Sequence, residues 1–261
     1  MPNKLAIITG ASTGIGFELA TLAAKGGYDL IVVADEALID AAAADSRQFG
    51  TDVQSVEADL STIEGVDRLL AATGGRTIDL LCANAGRGLG HGFLDQQVAD
   101  WRHVIDTNIT GTLYLLQKVL KEMVARDEGK VLVTGSIAGF IPGSFNAVYN
   151  GTKAFVDNFT DALRNEIKES KGVTLTTLMP GPVETEFFDR ADMLDTSVGA
   201  NDNKSEPADV ARDGWDALMG GKASVVSGWK NKLQATLANV TPASVLAEQH
   251  RHMAEPGSAN D

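Results

Sequence analysis

Short, continuously apolar runs alternate with longer amphipathic stretches through most of this sequence, and that alternation narrows the possible folds more than any other feature. The apolar runs are rich in Val, Ile and Leu on successive residues, as expected for strands covered on both faces. They predict strands over Leu5–Thr9, Leu30–Ala34, Val53–Glu57, Ile78–Ala83, Lys130–Thr134, Thr174–Leu178 and Ser224–Val226. The amphipathic stretches predict helices over Ile15–Lys25, Glu36–Phe49, Ile63–Ala72, Val98–Arg126, Tyr149–Ser170 and Pro207–Leu218. Strict alternation implies right-handed crossovers, and therefore an α/β fold built on a doubly wound parallel sheet of about seven strands with helices on both faces.

Two regions depart from this rhythm. Residues 186–206 form a long, polar stretch without helix caps, and a loop of that length is usually functional or mobile. After Gly228 the pattern predicts one more helix, Trp229–Asn239, and the sequence ends in Glu-Pro-Gly-Ser-Ala-Asn-Asp, which is typical of a frayed tail. We therefore expect a single catalytic domain over 1–228, with a substrate loop at about 186–206, and a helical extension and tail over 229–261.

A glycine-rich loop, Thr9-Gly10-Ala11-Ser12-Thr13-Gly14-Ile15-Gly16, joins the first predicted strand to the first predicted helix. Gly10 allows a tight turn, Gly14 lets a pyrophosphate approach the backbone, and Gly16 lets the helix pack closely on the strand. The free amides at the helix N-terminus would face the phosphates. Glycines also occur in ordinary turns, but this position favours a dinucleotide site in a single-domain Rossmann fold.

Asp35 ends the second predicted strand, 19 residues after Gly16. A carboxylate at this point can accept from both hydroxyls of an adenosine ribose, which favours NAD. It would repel the 2′-phosphate of NADP by about 1–4 kcal/mol at ~4 Å, and Glu36 adds to the repulsion. No basic residue lies in the glycine loop or directly after the strand to offset these charges. Asp35 could also cap the following helix, and the two roles are compatible.

Tyr149 and Lys153 are four residues apart and share one face of a predicted helix, while Ser136 follows the fifth predicted strand. Reduction of a ketone requires a positioned acid, and a free tyrosine titrates near ~10. A nearby ammonium would lower that pKa by favouring the phenolate, and a serine hydroxyl could polarise a substrate oxygen. A tyrosine and a lysine one turn apart are otherwise most often just a helix surface.

Together these segments resemble the short-chain dehydrogenase/reductase family, in its branch of about 250 residues. The loop matches the family pattern T-G-x-x-x-G-x-G, Tyr149 and Lys153 match Y-x-x-x-K, and Ser136 lies 13 residues before the tyrosine. Asn84-Ala85-Gly86 resembles the family's N-A-G turn, with Ala83 where a further asparagine is commoner, and Pro180-Gly181-Pro182-Val183-Glu184-Thr185 resembles P-G-x-V-x-T. The matching segments occur in the family's order over residues 5–226.

The resemblance implies roles for these residues. Asn108, Ser136, Tyr149 and Lys153 would form the catalytic set, with Asn108 anchoring a water that links Lys153 to solvent. The cofactor contacts would come from Gly10, Ser12, Thr13, Gly14, Ile15, Gly16, Asp35, Asp59, Leu60, Asn84, Ala85, Gly86, Tyr149, Lys153, Pro180, Gly181, Val183 and Thr185. The activity implied is NAD(H)-dependent interconversion of a secondary alcohol and a ketone, with Tyr149 as general acid and base.

Two alternatives stay open at this point. One is an NADP(H)-dependent carbonyl or 3-oxoacyl reductase of the same family, and the other is a dinucleotide-binding regulator without turnover. The regulator would have no physical need for both Ser136 and Tyr149. No G-x-S-x-G elbow is present, which argues against an α/β-hydrolase.

Charge and composition exclude other classes of partner. The 22 basic and 35 acidic residues leave a net charge of −13, which repels nucleic acid and anionic membranes and disfavours an acidic carrier protein. The single cysteine, Cys82, and the scattered histidines predict no disulfide and no metal site. No apolar run approaches the ~20 residues of a membrane span, and the N-terminus leaves no room for a signal peptide, so we expect a cytoplasmic protein.

The sequence leaves the substrate open. Apolar candidates for the pocket are Phe140, Ile141, Phe145, Phe187 and Phe188, whereas Arg87, His91 or Arg190 could hold a carboxylate or phosphate. Trp229 and Leu233 could cover the active site or dock on another subunit. The predicted helices Val98–Arg126 and Tyr149–Ser170 carry apolar residues around much of their circumference, which favours a homotetramer or homodimer.

Overall fold

A computed structural model describes residues 3–260 of the chain. Seven parallel strands form one sheet in the order β3-β2-β1-β4-β5-β6-β7. The strands are β1 (Leu5–Thr9), β2 (Asp29–Ala34), β3 (Val53–Glu57), β4 (Ile78–Ala83), β5 (Gly129–Thr134), β6 (Val173–Met179) and β7 (Ser224–Val226). The predicted doubly wound α/β fold is confirmed. The strand order reverses between β1 and β4, and ligands of such sheets bind at the carboxyl ends of the strands beside this switch point.

Helices cover both faces of the sheet because successive strand residues point to opposite sides. Ala6 and Ile8 pack in one core, whereas Leu5 and Ile7 pack in the other. The helices are α1 (Gly14–Lys25), α2 (Ile39–Arg47), α3 (Ile63–Ala71), α4 (Val98–Ile105), α5 (Thr112–Arg126), α6 (Ala147–Glu166), α7 (Phe187–Arg190), α8 (Pro207–Met219), α9 (Trp229–Ala238) and α10 (Ala243–Ala254). In the described part of the chain, no helix is long and apolar enough to span a bilayer.

The stretch predicted as one helix over Val98–Arg126 is interrupted. A π-helical segment, Asp106–Gly111, separates α4 from α5. A Cβ on Gly111 would lie 1.8 Å from the carbonyl oxygen of Leu60, so the widened turn passes directly against the loop after β3. Such π segments often occur at functional sites, and this one contains Asn108.

The C-terminal extension differs from the sequence prediction in two respects. It contains a helix that was not predicted, and residues 255–260 of the predicted frayed tail are held by hydrogen bonds, while Asp261 lies outside the described residues. The chain forms a second C-terminal helix, α10, whose Ala254 is fully buried. The amide of Val198 donates to the carbonyl of Met253 at 2.9 Å, and the amide of Ala259 donates to that of Asp195 at 3.0 Å. Residues 186–206 are likewise folded and contribute Phe188, Ala191 and Met193 to a small core with Ala254. The apolar side chains of residues 186–206 and of α10 therefore bury one another.

Candidate active site

A cavity of about 300 Å³ lies along the carboxyl edge of the sheet. Loops after β1 to β6 line it, and α9 and α10 close its far end. The structure brings to it these predicted residues: Gly10, Ser12, Thr13, Gly14, Ile15, Asp35, Asp59, Leu60, Asn84, Ala85, Gly86, Ser136, Tyr149, Lys153, Pro180, Gly181, Val183 and Thr185. Gly16 and Asn108 lie beneath the lining rather than in it.

The glycine loop is packed too closely for side chains. Gly10 and Gly14 have φ of +62° and +57°, the left-handed region that glycine adopts without strain. A Cβ on Gly16 would lie 1.9 Å from the carbonyl oxygen of Gly10, and one on Gly14 would lie 2.7 Å from Cγ2 of Thr185. Thr13, the N-cap of α1, makes no side-chain capping bond within residues 3–260. The backbone amides of this helix end therefore remain directed at the cavity.

Asn84 joins three strands at this edge. Its Nδ2 donates to the carbonyl oxygens of Thr9 and Gly10 at 3.1 and 3.3 Å, and its Oδ1 accepts from Oγ1 of Thr134 at 3.0 Å. Oγ1 of Thr9 accepts from the amides of Asn84 and Ala85, both at 2.9 Å. These bonds hold the glycine loop against the ends of β4 and β5.

Two carboxylates after β2 are paired with arginines from distant segments. Arg87 donates to Oδ2 of Asp35 at 2.9 Å across 52 residues of sequence, and Arg190 donates to Oε1 of Glu36 at 2.9 Å across 154. Ser12 Oγ also donates to Glu36 at 2.5 Å, and this bond, aided by Arg190, holds the pKa of Glu36 below its ordinary value. No basic residue is near Asp35 in the sequence, but the fold brings one arginine to Asp35 and another to Glu36.

Ser136, Tyr149 and Lys153 meet at the centre of the cavity. Lys153 Nζ donates to the carbonyl of Thr134 at 2.8 Å and lies 5.8 Å from the centre of the Tyr149 ring. Ser136 Oγ accepts from the amide of Ala138 at 3.1 Å and is almost fully buried. The ring of Phe187 packs on that of Tyr149, with their centres 5.0 Å apart. The Ser136 hydroxyl, the Tyr149 phenol and the Lys153 side-chain nitrogen therefore line the same cavity.

Asn108 connects this group to the loop after β4. Its Nδ2 donates to Oγ1 of Thr152 and to the carbonyl of Arg87, both at 2.9 Å. Its Oδ1 accepts from the amide of Arg87 at 2.8 Å. Because Thr152 directly precedes Lys153, these bonds fix the position of α6 relative to the π-helical segment.

The ionisation of the central residues is governed by burial. It raises the pKa of Tyr149 to about 12, an effect that the Ser136 hydroxyl opposes and Asp157 reinforces. This direction is opposite to the one expected from Lys153 alone. Burial also lowers the pKa of Lys153, and the Asp157 carboxylate opposes that change. A charged ligand in the cavity would therefore alter the balance between these groups.

Asp157 was not found by sequence reasoning. It lies on α6 one turn after Lys153, and burial raises the pKa of its carboxyl. Neither carboxylate oxygen has a hydrogen-bond partner within residues 3–260. A Cβ on Gly135 would lie 1.7 Å from its Oδ1, so the carboxylate sits directly against the backbone beside Ser136. The available signal was its spacing, because Tyr149, Lys153 and Asp157 follow one another at intervals of four.

Comparison with known proteins identifies the family. The family model described as short chain dehydrogenase matches residues 4–193. The chain belongs to the short-chain dehydrogenase/reductase family. Within this short-chain dehydrogenase, α9 and α10 lie beyond the matched region. They nevertheless supply Gln234, His250 and Met253 to the cavity, three residues that sequence reasoning missed.

Relatives and solved structures agree with this assignment. An uncharacterised oxidoreductase of Staphylococcus epidermidis is 33% identical over 193 residues, 73% of this chain and 82% of the relative. Another, from Staphylococcus aureus, is 32% identical over 219 residues, 81% of this chain and 89% of the relative. A short-chain dehydrogenase from Sphingobium yanoikuyae in complex with NADPH superposes with a TM-score of 0.80 at 26% identity, covering 91% of this chain and 94% of that one. A family member from Burkholderia phymatum in complex with NAD, at 23% identity, shares the fold with a TM-score of 0.82 over 90% of this chain and 92% of its own.

Proposed function

We propose that this short-chain dehydrogenase interconverts a secondary alcohol and a ketone with NAD(H). The observation that carries the proposal is the meeting of Ser136, Tyr149 and Lys153 in the cavity that also contains the glycine loop. An acid, a hydrogen-bond donor and a cation at one point beside a dinucleotide cradle suit hydride chemistry at a carbonyl.

The residues present fit a dinucleotide. The glycine loop and the free helix end would hold the pyrophosphate, Asp35 the adenosine ribose, and Asp59 and Leu60 the adenine. Asn84, Ala85 and Gly86 would border the adenosine ribose, and Lys153 would hold the hydroxyls of the nicotinamide ribose. The segment with Pro180, Gly181, Val183 and Thr185 would hold the nicotinamide amide. When bound, the cofactor supplies a hydride for reduction of the ketone and accepts one in oxidation of the alcohol.

Side chains of the protein bind the substrate oxygen and exchange a proton with it. Ser136 Oγ donates a hydrogen bond to it and polarises the carbonyl. As the carbonyl carbon gains a hydride, the oxygen takes a proton from the Tyr149 hydroxyl, which leaves a phenolate. The Lys153 ammonium and the positive charge of an oxidised nicotinamide favour that phenolate and oppose the effect of burial on its pKa. Alcohol oxidation follows the same path in reverse.

A specific observation favours NADP(H) as the second candidate cofactor. Arg87 and Arg190 neutralise Asp35 and Glu36, and they would become available to a 2′-phosphate if they exchanged partners. We favour NAD because both arginines are already paired with carboxylates. The related reading, an NADP(H)-dependent carbonyl or 3-oxoacyl reductase, predicts the opposite order of affinities.

Fluorescence titration with NADH and NADPH tests the cofactor. We expect NADH to bind at least about tenfold more tightly, because Asp35 can accept from both ribose hydroxyls, whereas a 2′-phosphate would have to displace carboxylates already paired with Arg87 and Arg190. The variant Asp35→Ala should reduce that preference, whereas Arg212→Ala, which removes an exposed arginine on α8, should leave it unchanged. Equal or tighter binding of NADPH by the unmodified chain contradicts the NAD assignment.

The catalytic assignment has a separate test. Tyr149→Phe should lower kcat for ketone reduction by about 10²–10⁴-fold, because general acid catalysis is lost. NADH affinity should change by less than about threefold. A variant that retains turnover would show that Tyr149 is not the acid. A normal chain that binds NADH but turns over no ketone or alcohol would instead support a regulator.

We further propose that the protein assembles as a homotetramer or homodimer through α5 and α6. The outward face of α6 supports this, since Gly151, Ala154, Phe155 and Ala162 are exposed and small or apolar. Small residues allow a second helix to approach closely. With a net charge of −13, we expect poor turnover of substrates bound to an acidic carrier protein.

A further inference from the structure

The far end of the catalytic cavity is built by the C-terminal extension. Gln234 on α9 and His250 and Met253 on α10 line the same cavity as Tyr149. With Ile141, they also line a second cavity of about 400 Å³ between α9 and α10. The second cavity has mostly apolar walls, formed by Trp229, Leu233, Leu237, Ala238 and Leu246 among others. A substrate bound at Tyr149 would therefore contact the polar side chains of Gln234 and His250, and the apolar second cavity lies beyond them.

Asn146 is an unpartnered polar residue in this wall. It is the N-cap of α6, a position where asparagine normally caps the helix, yet its side chain makes no capping bond. It is 5% exposed, and its Oδ1 has no hydrogen-bond partner within residues 3–260. Its side-chain nitrogen likewise donates to no described residue. A buried amide without a partner is unfavourable, and a ligand that hydrogen-bonds to it would remove that penalty.

The turn that presents Asn146 is held by α10. Ser144 Oγ donates to the carbonyl of Ala247 at 2.8 Å. Phe145 has a φ of +63°, unusual for a bulky residue, and Arg251 lies 4.9 Å from the centre of its ring. Strained backbone of this kind persists only where surrounding contacts determine it, and it concentrates at ligand sites. The C-terminal helix thus fixes the orientation of the unpaired amide.

His250 offers a second polar atom to the same space. Its Nδ1 lies 2.8 Å from the carbonyl of Ser144, so this nitrogen carries the proton and donates. Burial lowers the pKa of His250, which favours the neutral ring. Nε2 is then an acceptor, and it has no partner within the described part of the chain. Nε2 of His250 and the buried Oδ1 of Asn146 are thus two acceptors that a hydrogen-bond donor on the ligand would pair with.

The basic side chains beside the cavity are already paired with carboxylates. Arg87 is bound to Asp35, Arg190 to Glu36 and Glu186, and His91 to Asp192 at 2.8 Å. Among the described residues that line the cavity, Lys153 is the remaining cation, and it is bonded to the carbonyl of Thr134. The substrate end of the cavity therefore favours a neutral molecule.

We infer that Asn146 and His250 form a hydroxyl-binding subsite, and that the substrate is a neutral hydroxyketone or the corresponding diol. This inference rests on the proposed function. A hydroxyl both donates and accepts, so it can donate to Nε2 of His250 or Oδ1 of Asn146 and accept from Nδ2 of Asn146. Asn146, the N-cap of α6, lies three residues before Tyr149, and both side chains line the same cavity. We therefore place the hydroxyl on a carbon close to the carbonyl and test the β position.

Three small ketones test the subsite by equilibrium binding. Diacetone alcohol carries a β-hydroxyl, methyl isobutyl ketone differs by lacking it, and acetoacetate replaces the branched end with a carboxylate. Their affinities are measured by ligand-observed NMR on the full chain with NAD bound, where the ketone cannot be reduced. We expect diacetone alcohol to bind at least about tenfold more tightly than methyl isobutyl ketone, and acetoacetate to bind most weakly.

Two variants locate the effect. Asn146→Ala removes the unpaired amide, and His250→Asn keeps a donor for the carbonyl of Ser144 while removing the acceptor at the Nε2 position. Both should bring the affinity ratio of diacetone alcohol to methyl isobutyl ketone close to one. His252→Asn is the matched control, because His252 is on the same helix with its side chain 77% exposed, and it should keep the original ratio.

The outcomes separate the subsite from the proposed function. A ratio near one in the unmodified chain, a ratio that survives both variants, or tightest binding of acetoacetate overturns the subsite. Turnover with NADH or NADPH is measured independently on the same ketones. If the ketones bind in the expected order but none is reduced, the proposed reaction is overturned and the subsite stands. If both neutral ketones are reduced but bind with a ratio near one, the subsite is overturned and the proposed reaction stands.

Discussion

At the scale of single residues, the chemistry of the site depends on groups that burial brings together on α6. Tyr149, Lys153 and Asp157 lie on successive turns of one helix face. Burial raises the pKa of Tyr149 and of Asp157 and lowers that of Lys153, so each is shifted toward its neutral form. The negative charge of Asp157 moves the pKa of Tyr149 and of Lys153 upward. Asp157 therefore acts on the proton at Tyr149 through charge rather than contact.

The variant Asp157→Asn should shift the pH profile of alcohol oxidation toward lower pH. Oxidation requires the Tyr149 phenolate, and removing a negative charge lowers the pKa of Tyr149. The measurement is kcat/KM for a secondary alcohol as a function of pH. Asp161→Asn, one turn further along α6 with its side chain 68% exposed, is the control and should leave the profile in place. A shift toward higher pH would contradict this role for Asp157.

At the scale of elements, α10 and the segment 186–206 stabilise each other. Ala254 is fully buried against Phe188, Ala191 and Met193. The amide of Val198 bonds to Met253 on α10, and the amide of Ala259, beyond the end of α10, bonds to Asp195 in the segment. Because α10 contributes His250 and Met253 to the cavity, its docking completes the substrate end of the site.

Ala254→Glu should undock α10 and raise KM for the ketone at least about tenfold, because a buried carboxylate without a partner is strongly unfavourable. The dissociation constant for NADH should change by less than about threefold, since the glycine loop lies at the other end of the cavity. Ala259→Glu places the same charge at an exposed position and should leave KM unchanged. Steady-state kinetics and an NADH titration check both values. Equal effects on KM and on NADH affinity would show that α10 supports the whole cavity rather than the substrate end.

At the scale of the whole molecule, the proposed assembly would bury surface that a monomer exposes. Phe155 is 41% exposed and stacks on Phe159, with ring centres 5.9 Å apart. Such an apolar ring on a face of small residues is typical of an interface.

Light scattering should give the mass of a tetramer or dimer, and Phe155→Glu should shift it toward the 27.5 kDa monomer. A charged side chain at the centre of an interface loses its hydration when the interface forms. Phe49→Glu, at a site of similar exposure on the end of α2, should keep the original mass. A monomeric unmodified chain would contradict the assembly.

The sequence by itself determined the sheet and the position of the candidate site within it. Each strand is a continuous apolar run, so its burial on both faces can be read locally, and the helices between them follow from a period of 3.6 residues. Residues such as Gly10, Asp35, Ser136 and Thr185 follow strands, and the carboxyl ends of parallel strands meet at one edge. Their convergence is therefore a consequence of topology.

Only the tertiary structure decided which helices cover this edge of the sheet and which ion pairs form there. The bonds of Arg87 and Arg190 to the carboxylates after β2 cross 52 and 154 residues, and no local pattern encodes a contact of that range. The helix α10 packs on apolar surface from a distant loop, so its contribution to the site could not be predicted from its own sequence. The unpaired state of Asn146 likewise depends on a turn held by another helix. Local periodicity specifies elements, whereas contacts between remote elements specify which polar groups remain free to meet a ligand.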